Sequence, residues 1–279
     1  MISKQLPVLI TASVSTRGMK EACFTDDERE HMYVETLNFY IENLLANPFQ
    51  KIIFAENSGW DKNRLIGQLS VYNLEQLEFV MLPKEYFDIS KGKGYNELLM
   101  MNMALEQSVF LQNAKGFVKV TGRYPIYNLK HYITKATEAL QKGQLLYCDV
   151  KEHSLYKLLG LNWNAHSFYS VLYGVDISYY KEKIAPRYKE LNDYDGYLVE
   201  DMLYDVISLE SRQGKSKAKG IVGRGGYINA RFDREPVCGG LQGSRMSNWS
   251  FSANQSSLKS KLKRMVGNSF RYFFPWIWF

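Results

Sequence analysis

The chain has 279 residues, a length that suits one large domain or one domain with an appendage. A hydrophobic fraction of 46% against 23% charged residues excludes a disordered chain, and no apolar run reaches the roughly 18 residues that a transmembrane helix needs. The net charge is +6, but five cations stand between Gln255 and Phe279 without a single acid, so the rest of the chain is close to neutral and nucleic-acid binding is not its expected business.

The first element is "PVLITAS" (7–13), read as a buried strand; it is too short and too soon followed by Thr16 and Arg17 to be a signal peptide. A helix is predicted over 25–47, with Thr25 as its N-cap, acids in its first turn, and Met32, Leu37, Tyr40, Ile41, Leu44 and Leu45 on its apolar face. Then come a second strand (51–58), a short helix (61–70), a third strand (77–83) and a strong helix (95–113). "FVKVTGR" (117–123) is the fourth strand, followed by a helix (128–141) and "LLYCDV" (145–150), the fifth strand. Beyond it, 165–175 reads as strand, 176–191 as helix broken at Pro186, and 196–212 as helix. The basic, glycine-rich stretch 214–230 reads as a loop flanking a short strand, and 239–250 as a mobile loop.

Alternating strand and helix with short links predicts an α/β fold with a mostly parallel sheet covered by helices on both faces. Ligands bind such sheets at the carboxyl ends of the strands. Those ends are Thr11–Ser15, Glu56–Ser58, Pro83–Lys93, Thr121–Tyr124 and Asp149. Cys23, Cys148 and Cys238 are odd in number and widely spaced, which fits a reducing compartment and no disulfide framework. His31, His131, His153 and His166 show no metal-ligand spacing.

"KGKGYNELLMMNMALEQS" (91–108) sets two lysines and two glycines before a helix. Glycine lets backbone come close to a ligand, and a helix N-terminus offers free N–H groups to an anion, so Lys91, Lys93 and this turn form a candidate diphosphate cradle. A solvated lysine turn is the plain alternative. Followed by "GFVKVTGRY", the segment resembles the donor-binding half of GT-A-fold glycosyltransferases of the family-2-like kind. It looks like the divergent group found in bacterial capsule and O-antigen loci, and the resemblance spans roughly residues 7–205.

That resemblance implies a GT-A-like domain over 1–250, with a nucleotide-sugar half over about 1–150 and an acceptor half over about 151–250, and a basic, aromatic tail over 251–279. It implies transfer of a sugar, from a UDP-sugar by default, to a hydroxyl of a lipid-linked surface-polysaccharide intermediate, with inversion. The nucleoside would lie over Thr11, Ala12, Ser13, Glu56, Asn57 and Ser58. By the match of "YLVEDMLYDV", Asp201 would be the general base and Glu200 its neighbour.

One feature departs from the family. The strand that should end in Asp-x-Asp ends in Thr121, Gly122 and Arg123. A divalent metal, Mn or Mg, would then lack its usual ligands, with Asp149 the acid left to hold one, and Arg123, Lys91, Lys93, Lys119, Lys219 and Arg224 would neutralise the leaving diphosphate. In the tail, Lys259, Lys261, Lys263, Arg264 and Arg271 with Phe273, Phe274, Trp276 and Trp278 read as a peripheral membrane contact at the inner face of the cell membrane. Two other readings compete: a sugar-nucleotide-binding or assembly protein that has lost catalysis, and single-stranded nucleic-acid binding through 215–231 and the tail.

Overall fold

Val8–Ala12 is a run of β-prone and small residues with both faces covered, and it forms the central strand β1. The structure is a computed structural model that describes residues 5–19, 22–70, 73, 75–152, 166–212, 224, 225, 227–240 and 258–274. After β1 come helix α1 (Asp26–Leu44), β2 (Ile52–Glu56), the short α2 (Lys62–Ile66) and β3 (Leu77–Met81). Helices α3 (Lys93–Gln107) and α4 (Val109–Gln112), strand β4 (Gly116–Thr121) and helix α5 (Leu129–Gln141) follow. Next are β5 (Leu146–Tyr147), β6 (Val150–Glu152), β7 (His166–Phe168) and β8 (Leu172–Asp176). A helical stretch of changing pitch (177–190) leads to α6 (Val199–Arg212), the pair β9 (Arg224–Gly225) and β10 (Ile228–Asn229), and α7 (Leu258–Phe273).

The fold is α/β, as the alternation predicts. Eight strands form one sheet in the order β3-β2-β1-β4-β8-β5-β10-β9, and β6 pairs with β7 apart from it. β3, β2, β1 and β4 run parallel; β8 runs antiparallel to both β4 and β5. Alternate residues of β1 enter different cores. Val8 and Ile10 pack with α1 and α5 on one face, while Leu9 packs with α3 and α6 on the other.

Thr25 caps α1 as expected: its hydroxyl accepts from Glu28 N, and the Glu28 carboxylate accepts from Thr25 N at 2.8 Å. Three expectations need revision. The helix predicted over 95–113 breaks at Ser108, whose hydroxyl donates to Glu78 at 2.6 Å and accepts from Leu111 N at 3.1 Å, capping a new helix. The strand predicted over 165–175 divides into β7 and β8 around a turn at 169–171. The fifth strand, predicted over 145–150, shortens to β5, with Val150 passing to the separate β6–β7 pair, and β8 lies between β4 and β5. Gly116 permits that close approach, since a Cβ there would strike the Val175 carbonyl. Most of the predicted mobile loop 239–250 lies outside the described residues.

Candidate functional site

β1 crosses over to β2 on one side and has β4 on the other, so the sheet's switch point lies between β1 and β4. A cleft of about 390 Å³ opens where those two strands end. Thr11, Ala12 and Ser13 line it from β1, and Thr121 and Arg123 from β4. Gly122 keeps the two strand ends together: its N–H donates to Thr11 O at 2.9 Å, and a Cβ there would sit 2.8 Å from Ile10 Cγ2 and 2.9 Å from Thr11 O. Gly122 therefore does not touch the cleft; it sets where Arg123 enters it.

Two guanidinium groups meet in this cleft. Nε and Nη1 of Arg123 are buried and have no hydrogen-bond partner. The Arg123 guanidinium lies 5.3 Å from the Tyr124 ring centre. Burial works against its charge, and Tyr33, Tyr124 and Glu97 more than offset that, so its pKa is raised. Arg29 reaches in from the first turns of α1. Its Nε donates to Ser13 O at 3.0 Å and Val14 O at 2.9 Å, and its Nη2 donates to Ser13 O and to Tyr33 Oη at 3.3 Å. Burial lowers its pKa, and the charge of Arg123 adds to that. Tyr33 joins the two: its hydroxyl also accepts from Ser13 N at 3.0 Å, and its nearness to Arg123 helps keep that guanidinium charged. Two cations converging in one cleft, with open donors on Arg123, make a site for an anion.

The carboxylates divide differently from the expectation. Glu200 lines the cleft and accepts from Ser170 Oγ at 2.6 Å. Burial raises its pKa, the Ser170 hydrogen bond works the other way, and nearby Glu97 pushes it further up. Asp201 turns away: its Oδ2 accepts from Leu198 N at 3.2 Å at the start of α6, and it does not line the cleft. The candidate base is thus Glu200, one residue from the acid the motif match selects. Glu97 of α3 is a second carboxylate in the cleft, accepting from Thr11 Oγ1 at 2.7 Å and from Lys119 Nζ at 2.8 Å. Lys119 also donates to Thr121 Oγ1 at 2.8 Å and Ser170 O at 2.7 Å. It is 1% exposed and fully committed, which removes it as a diphosphate ligand.

The turn at 91–94 is already occupied. Asp193 Oδ2 accepts from Lys93 N at 2.6 Å and from Gly94 N at 3.3 Å, so a carboxylate of the chain itself fills the N-terminus of α3. Gly92 has φ +87°, and a Cβ there would lie 2.5 Å from Asp193 Cβ. The glycines make room for Asp193, and the cradle read from the sequence is an intramolecular cap. The Lys93 residue lines the cleft, whereas Lys91 does not.

Glu56, Asn57 and Ser58 do not line the cleft either. Glu56 Oε1 accepts from Val14 N at 3.0 Å, Ser58 N at 2.9 Å and Ser58 Oγ, and its Oε2 accepts from Trp60 N at 3.1 Å. Asn57 accepts from Ser13 Oγ at 2.6 Å and donates to Asn96 O at 3.1 Å. These groups brace the loops behind Ser13 and do not face a ligand in the cleft.

Asp149 does not fit a metal. Both its oxygens accept from Nη1 of Arg271, each at 2.9 Å, and its Oδ1 also accepts from Phe232 N at 3.1 Å. No group of three or more His, Cys, Asp or Glu suited to a metal gathers among the described residues. Arg271 in turn is buried and faces the body of the protein, so it is not a lipid-facing cation. Lys259, Lys261, Lys263, Phe273 and Phe274 are exposed and Arg264 is half-buried. Lys219, His153, Trp276, Trp278 and the side chain of Arg224 lie outside the described residues.

No protein-family model and no curated protein matches the chain. Among solved structures, it is similar to the galactosyltransferase LgtC bound to donor and acceptor sugar analogues, at 9% identity and a TM-score of 0.45, covering 82% of this chain and 74% of that one. It is similar to a nucleotide-diphospho-sugar transferase from Desulfovibrio desulfuricans G20 at 12% identity and a TM-score of 0.42, covering 74% and 75%. It is also similar to core-mannan synthase A from Aspergillus fumigatus in its Mn/GDP form, at 11% identity and a TM-score of 0.37, covering 70% of this chain and 66%, just under two thirds, of that one. Likenesses this loose carry no activity across.

Proposed function

We propose that the protein is a glycosyltransferase of the GT-A kind, moving a sugar from a nucleotide-sugar donor, a UDP-sugar by default, to an acceptor hydroxyl with inversion. The observation that carries the reading is the pair of buried, unpartnered nitrogens on Arg123 in a cleft at the sheet's switch point. The nucleoside diphosphate lies against Arg123 and Arg29. Glu200, ionised and held by Ser170, takes the proton of the acceptor hydroxyl. The hydroxyl oxygen bonds to the anomeric carbon as that carbon's bond to the diphosphate breaks, and the electron pair leaves on the diphosphate between the guanidinium groups. At the end of β4, where Mn or Mg would need an acid pair, stand Thr121, Gly122 and Arg123. The acceptor we favour is a lipid-linked intermediate of a surface polysaccharide, met at the inner face of the cell membrane; the exposed lysines and aromatics of α7 support that placement.

The test is thermal unfolding with UDP, GDP, CMP and CDP, each with manganese and with a chelator. A ligand at 100 times its Kd adds about 2.7 kcal/mol, a rise of several degrees in a chain of this size. One nucleoside diphosphate should stabilise the protein, and Arg123→Ala should remove that stabilisation. If no nucleotide raises the midpoint, the donor site is misread; stabilisation that needs manganese would instead show that a metal carries the diphosphate.

A further inference from the structure

Helix α7 is docked with its polar side inward. Arg271 is buried against Asp149, and its Nε lies 3.8 Å from Glu235. One turn earlier, Asn268 Oδ1 accepts from Glu235 N at 2.9 Å, and Gly267 lies against the same glutamate. Positions 264, 267, 268 and 271 therefore form the side that faces the body. The stripe of Leu258, Leu262, Met265, Val266 and Phe273, spaced at helical intervals, faces out: Leu258 is 74% exposed, Met265 60% and Phe273 65%. A helix on a globular body ordinarily turns its apolar stripe the other way.

We infer that this outward stripe is a docking surface for an anionic lipid bilayer, with α7 lying in the plane of the membrane interface. Charge selects the occupant. Lys259, Lys261 and Lys263 are exposed among the apolar residues, and no acid occurs from Gln255 to Phe279. Against a second copy of this chain, those lysines would face their own kind; against anionic headgroups they are complementary. No helix among the described residues is long and apolar enough to cross a bilayer, so the contact is peripheral. The mount is stiff. Asp149 holds Arg271 with its side chain, and its backbone oxygen accepts from Tyr169 N at 2.9 Å, next to the Ser170 that holds Glu200. A lipid surface under α7 is thereby tied to the cleft through three consecutive contacts.

The inference does not depend on the transferase reading. It is tested by flotation of the full chain with phosphatidylcholine vesicles, with and without phosphatidylglycerol, alongside sedimentation velocity. The chain should float with the anionic vesicles only, and raised salt should release it. Leu262→Glu with Met265→Glu should abolish flotation, and each Lys→Glu change at 259, 261 or 263 should lower partition at least fivefold. The unfolding midpoint and its shift with nucleotide should not move in these variants. No flotation with anionic vesicles overturns the inference, as does flotation that the variants leave intact. A dimer that the double variant dissolves, without vesicle binding, assigns the stripe to a second copy instead. Loss of the nucleotide response with flotation intact would count against the transferase reading alone.

Discussion

Glu200 has a raised pKa because burial, with Glu97 nearby, outweighs the Ser170 hydroxyl, its own backbone N–H and the Lys119 charge, all of which favour its ionised form. Its folded pKa lies above the unfolded value. Its contribution to stability is therefore complete below the ordinary glutamate pKa of about 4.3, and is lost as the pH rises through the raised value. Glu200→Gln removes that loss. The variant's unfolding midpoint should overtake that of the wild type as pH climbs, while turnover drops by roughly 10²–10⁴. Wild-type turnover should rise with pH through the same raised pKa. Asp201→Asn should leave both curves nearly unchanged, since Asp201 accepts only a helix-capping bond. At Arg123, replacement by Lys keeps a charge but loses the fork that can take two phosphate oxygens. Calorimetry should show nucleoside diphosphate affinity weakened for Arg123→Lys, and weakened more for Arg123→Ala, by about 1.5–3 kcal/mol for each charged hydrogen bond lost.

The elements that carry the site were unequally legible in the sequence. The end of β4 is plain: an apolar run stops at Gly122, and Arg123 follows it into the cleft. Arg29 was also within reach. It falls on one helical stripe with Tyr33, Leu37, Tyr40 and Ile41, and an arginine on the buried stripe of an amphipathic helix needs a reason. The acids of the first turn of α1 hid it. The turn at 91–94 misled because its partner lies about 100 residues on, and glycines that admit a carboxylate look like glycines that admit a phosphate. Here the consequence is measurable. Gly92→Ala puts a Cβ into Asp193 in a backbone region open almost only to glycine, and should cost about 1–3 kcal/mol in chemical denaturation. Asp193→Ala should cost about 0.5–2 kcal/mol, as loss of a cap does, and leave nucleotide affinity unchanged. Tighter nucleotide binding by that variant would show that the end of α3 takes phosphate after all.

Across the whole molecule, the alternation of strands and helices conveyed the parallel half of the sheet and the location of the cleft at its carboxyl edge. It did not convey β8, which sits between β4 and β5 by non-local pairing that no local pattern records. Nor did it show that Arg271 and Asp149, 122 positions apart, meet in the interior. A buried pair broken from one side leaves a charge uncompensated, so Arg271→Ala should lose about 3–5 kcal/mol, and Arg271→Met with Asp149→Asn should recover most of it in thermal unfolding. That ion pair also imposes an order on synthesis. Domains fold from the N-terminus as the chain emerges. Asp149, between β5 and β6, is made 122 residues before the arginine that neutralises it. Until α7 has emerged and docked, the body holds an interior carboxylate without its principal partner. A body still waiting for α7 would be marginal and open to proteases, so the docking of that helix is the step that closes the interior.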